Sequence, residues 1–428
     1  MPKTRPAMER SAARPTRAAW LIGPALVAGV AYLDPGNVAS NMTAGAVFGY
    51  LLVWVVVLGN LMAWLIQYLS AKLGIVTGES LPETLGHRIR NPWGRRAYWL
   101  QAELVAMATD IAEVIGGAIA LNLLFNVPLL WGGVITGAVS MGLLLVQSRH
   151  GARSFELIIV GLVVVIGVGF LFGVFIAPPD PAGVVGGLVP RFEDSQSVLL
   201  AASILGATIM PHAIYAHSAL ARDRFAPATP GERHPAGLEA ARGIGTARLL
   251  KATRWDVTIA MAIAGTVNLG ILLLAAANLA GVPGTDSLEG AYAALRDGIG
   301  PVVATLFAVG LLASGLASTS VGAYAGAEIM HGLLRVRVPL LARRLVTLAP
   351  ALLILGVGVD PTLALVLSQV VLSFGIPFAL IPLVALTAKS DVLGRFRNRT
   401  LTTVAGIAAS VFLIALNGLL LWLVLTGG

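Results

Sequence analysis

No cysteine occurs among the 428 residues, which excludes disulfides, thiolate metal sites and thiol catalysis together. Charge is also scarce: 12% of residues are Asp, Glu, Lys or Arg, against roughly a quarter in an ordinary soluble domain. With 57% hydrophobic residues and a mean hydropathy of +0.85, the chain reads as a polytopic, all-α membrane protein whose first partner is the lipid bilayer. Any metal must then be held by oxygen, imidazole or thioether.

Acidic residues are the scarcer sign, 21 against 29 basic, giving a formal charge of +8. The basic residues fall in short clusters between apolar stretches, with no continuous basic face, so no nucleic-acid partner is expected. Lys3, Arg5, Arg10, Arg14 and Arg17, in a tail over 1–18, precede an apolar stretch that imitates a signal peptide. That stretch continues through Asp34 to Val47 and is read as an uncleaved first span.

A window of about 19 residues marks about eleven spans: 20–47, 49–74, 97–125, 129–147, 155–177, 197–220, 255–281, 300–333, 339–358, 361–387 and 402–426. Basic connections alternate with poor ones. The positive-inside rule then puts the N-terminus in the cytoplasm and the C-terminus outside. The Pro- and Arg-containing segment 222–254 is read as a linker within the second of two five-span units, 19–177 and 197–387, with an extra helix over 402–428.

The first span is interrupted by Asp34-Pro35-Gly36-Asn37. A charge at mid-membrane costs on the order of 2.5–3.5 kcal/mol, so a carboxylate beside a helix breaker points to a bound ion or substrate. The sixth span has its own break at Met210-Pro211-His212, and paired interruptions in two halves point to a transporter's central site. Each proline withholds an N–H from the carbonyl four residues earlier, here Ala31 and Ala207. Those carbonyls with Asp34, Asn37 and Met210 make a set of hard oxygens and one sulfur suited to manganese or ferrous iron. Asn37 has a second reading, as N-cap of the following half-helix, and a lone methionine is commonly packing.

The third span carries Glu103, Met107, Asp110 and Glu113 along one helical stripe. Mutually repelling carboxylates make plausible proton carriers. Arg343-Arg344, opening the ninth span, reads either as their counter-charge or as an anchor at a cytoplasmic boundary. His212 is read as a proton shuttle or as a buried, hydrogen-bonded histidine. Asn268 and Gln369 read as interhelical glue, Glu156 and Asp256 as helix-end anchors, and Glu328 and His331 as helix-end residues.

The two motifs, with His217-Ser218 following the second, resemble the signatures of the Nramp family of proton-coupled divalent-metal transporters, in its bacterial manganese-uptake branch. The resemblance covers nearly the whole chain and departs at Ala213 and Ala216, where larger residues are usual. It implies two inverted five-helix repeats like those of sodium-coupled amino-acid symporters, in a bacterial cell membrane. It also implies metal ligands at Asp34, Asn37, Met210 and the Ala31 and Ala207 carbonyls, with Gln369 approaching in an occluded state. Glu103, Asp110, Glu113 and Arg343-Arg344 become a proton route, and Asn268 and His217 further polar positions. The implied activity is import of manganese, and of iron and cadmium, with protons, without a resident cofactor or obligatory protein partner. A sodium-coupled amino-acid symporter is disfavoured because Asp34 repels a substrate carboxylate. A membrane enzyme is disfavoured because neither H-E-x-x-H nor G-x-S-x-G occurs.

Overall fold

The computed structural model describes residues 23–225, 238–239, 242–336 and 338–426; the tail over 1–18 lies outside them, as do 226–237 and 240–241 of the 222–254 linker and the final two residues. Every regular element among them is helical, as hydrocarbon requires of an open chain that must satisfy its own backbone. Among the described residues, eight helices are long and apolar enough to cross a membrane. The halves of the first span, Leu129–Leu143 and the Leu340–Val357 helix supply the rest, so the expected eleven passes are present.

Both interruptions are real. The first span divides into Pro24–Gly29, a 3-10 turn Val30–Leu33 and Pro35–Phe48. The sixth divides into Ser195–Ile209 and Pro211–Phe225. Proline at the first helical position explains why each second half starts where it does: its fixed φ suits a helix start and its missing N–H is an orphan there anyway.

Hydropathy misjudged some boundaries. The seventh span begins at Thr246 rather than near 255, because its opening turns, with Arg248, Lys251 and Arg254, are helical yet not apolar. Leu81–Arg88 and Leu288–Gly298 are connecting helices that a hydropathy window passes over. The fourth and fifth spans share one helical assignment, Leu129–Ile176. Gly133 lies against Leu352 and Leu355 at one end of it, and Gly173 against Leu274 and Val303 at the other. Gly132 packs on Ala118 towards the end of the third span, and the helix that Val303 opens runs antiparallel to that span, with Gly315 on Glu113 and Gly117 and Gly322 on Asp110, so both ends sit at the same end of the bundle and the element holds two passes.

Large apolar side chains such as Leu401, Val411, Ile414, Leu421 and Leu425 on the last helix face outward, as lipid-facing positions do. The polar residues go inside instead, where Asp34, Asn37, Asp110, Glu113 and Gln369 have no exposed surface.

Candidate functional site

The first break is built around Asp34. The residue before a proline is pushed to extended backbone, and Asp34 adopts φ −74°, ψ 164°. Its carboxylate thereby turns back to cap the half-helix it precedes, with Oδ1 accepting from the Asn37 backbone N–H at 2.8 Å. This corrects one of the two readings of Asn37: Asp34 is the N-cap, and the Asn37 side chain is left free for other work. Its Nδ2 donates to Asp34 Oδ1 at 3.0 Å and to the Ala207 carbonyl at 2.9 Å. That carbonyl is the one Pro211 releases, so a single amide joins the two breaks.

Gln369 completes the group from the tenth span, Pro361–Ala388, its Nε2 lying 3.4 Å from Asp34 Oδ2. It reaches the site because Gly36 has no side chain: a Cβ there would stand 1.7 Å from Gln369 Nε2. Gly206 similarly admits the Gln369 backbone carbonyl, 1.9 Å from where its own Cβ would be. All the donors to Asp34 are neutral amides. Asn37 Oδ1 and Gln369 Oε1 are buried without a hydrogen-bond partner, a rare condition for native polar atoms.

Ala31 lies buried in the 3-10 turn and Met210 is fully buried at the end of the Ser195–Ile209 half-helix. No hydrogen bond draws either into the Asp34 group. The unwound carbonyls beside Ala31 are held elsewhere: Tyr32 O accepts from Asn268 Nδ2 at 2.9 Å, and Leu33 O from the Ser314 hydroxyl. Asn268 is thus interhelical glue that holds the break itself.

A second polar cluster lies on the third span, Pro92–Phe125. Arg343 donates to Glu103 at 2.9 Å and Asp110 at 3.0 Å; Arg344 donates to Asp110 at 2.9 Å, Glu113 at 3.1 Å and Ser140 at 3.1 Å. The Arg344 side chain has 0% exposure, so the boundary-anchor reading of this pair is overturned. Span eight, Pro301–Leu334, makes room for them with glycine: a Cβ on Gly326 would stand 2.0 Å from the Arg343 guanidinium carbon. The cluster adjoins the first break, because Gly116, three residues beyond Glu113, packs on Pro35 so closely that a Cβ would be 2.1 Å from Pro35 Cβ.

His212 is buried with Nδ1 3.1 Å from the Thr109 hydroxyl, next in sequence to Asp110. His217 Nδ1 lies 2.6 Å from Gln67 Oε1, and Gln67 Nε2 donates to the Tyr32 hydroxyl. Gln67 and Tyr32 escaped the sequence reading, although a lone glutamine in the apolar Val53–Thr77 helix was the available signal. Asp256 is no anchor of its own helix end. It accepts from the N–H groups of Gly23 and Ala25, at 3.2 and 2.9 Å, and so caps the opening half-helix of span one. Glu328 pairs with Arg222 at 3.2 Å; the Glu156 side chain lies outside the described residues.

The sequence profile described as natural resistance-associated macrophage protein-like (Nramp) matches residues 25–423. The divalent metal cation transporter MntH of Mycobacterium tuberculosis is 58% identical over 408 residues, covering 95% of this chain and 92% of the relative. MntH of Bacillus subtilis is 45% identical, covering 92% and 90%. The crystal structure of the Eremococcus coleocola manganese transporter superposes with a TM-score of 0.80 at 34% identity, covering 94% of this chain and 85% of that one. MhsT bound to L-phenylalanine shares the fold at 13% identity and a TM-score of 0.60.

Proposed function

This chain belongs to the Nramp family of metal-ion transporters, and from that premise we propose that it imports manganese, with ferrous iron and cadmium as further cargo, coupled to protons by alternating access. The observation that carries the reading is the junction of the two breaks at Asp34, Asn37, the Ala207 carbonyl and Gln369, with two buried amide oxygens left without partners.

A divalent cation suits this junction electrostatically, because one carboxylate faces only neutral amides. Asp34 supplies the charge, Asn37 and Gln369 swing their free Oδ1 and Oε1 onto the ion, and the carbonyls of Ala207 and Ala31 add neutral oxygens. Met210 contributes a thioether that favours softer divalents over calcium or magnesium. Among the described residues, no group of three His, Asp or Glu side chains is placed to hold a metal. A site with one carboxylate binds loosely enough to release its cargo.

The proton leaves Asp34 for the adjoining cluster. Gly116 against Pro35 brings Glu113 close to the break, and Asp110 and Glu103 lead on along the same helix towards its basic end, with Arg343 and Arg344 holding all three acids in place. His212 stands beside this route and His217 beside Gln67 and Tyr32. The half-helices of spans one and six move to admit and release the ion, since the Asp34 group has no exposed surface here. The protein sits in a bacterial cell membrane with its N-terminus in the cytoplasm and its C-terminus outside, and it needs no resident cofactor or protein partner.

The decisive experiment is radioactive manganese uptake into proteoliposomes under an inward proton gradient. Wild-type protein takes up manganese faster with acid outside. Uptake indifferent to the gradient removes proton coupling, and uptake of sodium and amino acids in place of manganese removes the whole reading.

A further inference from the structure

The tenth span contains Pro377 and Pro382, which release the carbonyls of Ser373 and Phe378. Both are satisfied from other helices: Ser373 O accepts from Asn417 Nδ2 at 3.0 Å, and Phe378 O from the Tyr98 hydroxyl. Asn417 Oδ1 in turn accepts from the Ser373 hydroxyl at 2.8 Å. Between spans ten and eleven lies a cavity of about 550 Å³ walled by Tyr98, Phe374, Phe378, Ile381, Ile414 and Leu421 among others. Its volume falls within the roughly 300–1,000 Å³ common for small-molecule sites.

The chemistry of the walls restricts the occupant. Asn417 and Tyr98 bring the polar side-chain atoms, and both are already engaged with backbone carbonyls, so a water or a hydrophilic solute finds too few partners. The cavity accepts hydrocarbon. It opens sideways, through Phe378, Ile381, Ile414 and Leu421, which are 46–51% exposed, onto the face that lipid covers. At the Tyr98 end stand Arg95, one turn earlier on the same helix with its Nε unpartnered, and exposed Arg96, stacked 5.1 Å from the Trp93 ring. An aromatic residue and arginines at a span's end mark the headgroup level.

We propose that this crevice binds one acyl chain of an anionic phospholipid, whose phosphate is met by Arg95, which shares the Tyr98 face of its helix at the basic end of the bundle. Positive charge at the mouth of an apolar slot selects that lipid over a zwitterionic one. The proposal requires the membrane embedding alone and is independent of which ion is carried. The slot also adjoins the gating half-helix of span six, because the Tyr98 hydroxyl lies 3.1 Å from that of Tyr215.

Gly418 provides a clean test, since it lines the slot and a Cβ there meets nothing within 4 Å. The full chain is placed in nanodiscs with phosphatidylglycerol or phosphatidylcholine carrying a photoactivatable acyl chain, irradiated and mapped by mass spectrometry. Adducts should concentrate on 374–382 and 414–421, with phosphatidylglycerol labelling roughly fivefold more strongly for each arginine that contributes. Gly418→Phe should remove those adducts, and Arg95→Gln should bring phosphatidylglycerol towards the phosphatidylcholine level, while both variants keep the wild-type size-exclusion profile and helical circular dichroism as a check on folding. Adducts spread evenly around the belt, equal labelling by the two lipids, unchanged labelling of Gly418→Phe, or chain-to-chain cross-links through Phe378 would each overturn the proposal.

Discussion

Two polar regions share the interior of this bundle and balance charge in opposite ways. Around Asp34 a carboxylate is met by amides alone, two of whose oxygens have no partner. Around Asp110 three carboxylates meet two guanidinium groups in a net of ion pairs buried from solvent. The first holds a carboxylate with no cationic side chain on it, the feature on which the proposed cation site rests. The second sets two positive charges of its own against three negative ones, leaving one acid's charge unmatched, an arrangement that fits the proton-carrying role proposed for it. Burial is common to both, so the difference lies in who supplies the positive charge.

The largest expected effect breaks the first region outright. Asp34→Ala removes its sole charge, and manganese uptake into proteoliposomes should fall to the level of empty vesicles; substantial remaining uptake would refute the assignment. Arg344→Ala breaks the second region instead. Removing one partner of a buried pair typically costs about 3–5 kcal/mol, which should appear as a clear drop in the melting temperature in detergent. Manganese binding should survive, because Arg344 touches none of the Asp34 group. If stability is unchanged, the cluster is not held as described.

A finer test sharpens the contrast through shape rather than charge. In Gly36→Ala the added methyl occupies the place of Gln369 Nε2, and displacing a supporting ligand commonly costs 10–100-fold in metal affinity. Calorimetry with manganese reads this directly, and wild-type affinity would take Gln369 out of the site. Met210→Ala should have the smallest effect, keeping manganese uptake while narrowing the preference over calcium by about tenfold. Undiminished exclusion of calcium would remove the thioether from the selectivity argument.

The two regions also differ in how far they were legible beforehand. Asp34, Pro35 and Pro211 announce themselves, because a carboxylate or a helix breaker in an apolar run is costly wherever the chain goes. Asn37 was ambiguous, since cap and ligand use the same residue type; the extended backbone that Pro35 imposes on Asp34 gave the cap to the aspartate. The arginine pair was equally ambiguous, because a boundary and a buried counter-charge look alike until neighbouring helices are in place. Asp256 showed only a position near a helix end, while its partners Gly23 and Ala25 lie more than 230 residues away. Gln67 was missed as one amide among many polar candidates.

The sequence by itself determined the membrane setting, the eleven passes, both helix breaks and which carbonyls the prolines would release. These follow from hydropathy and from the covalent chemistry of proline, which act over a few residues. Tertiary structure decided what meets those groups: Asn37 on the Ala207 carbonyl, Gln369 over Gly36, Arg344 between Asp110 and Glu113, and Asn417 and Tyr98 on carbonyls of the tenth span. Each of these contacts joins helices distant in sequence at separations where a single Cβ would intrude or a hydrogen bond just closes, and such distances are set by packing rather than by local pattern.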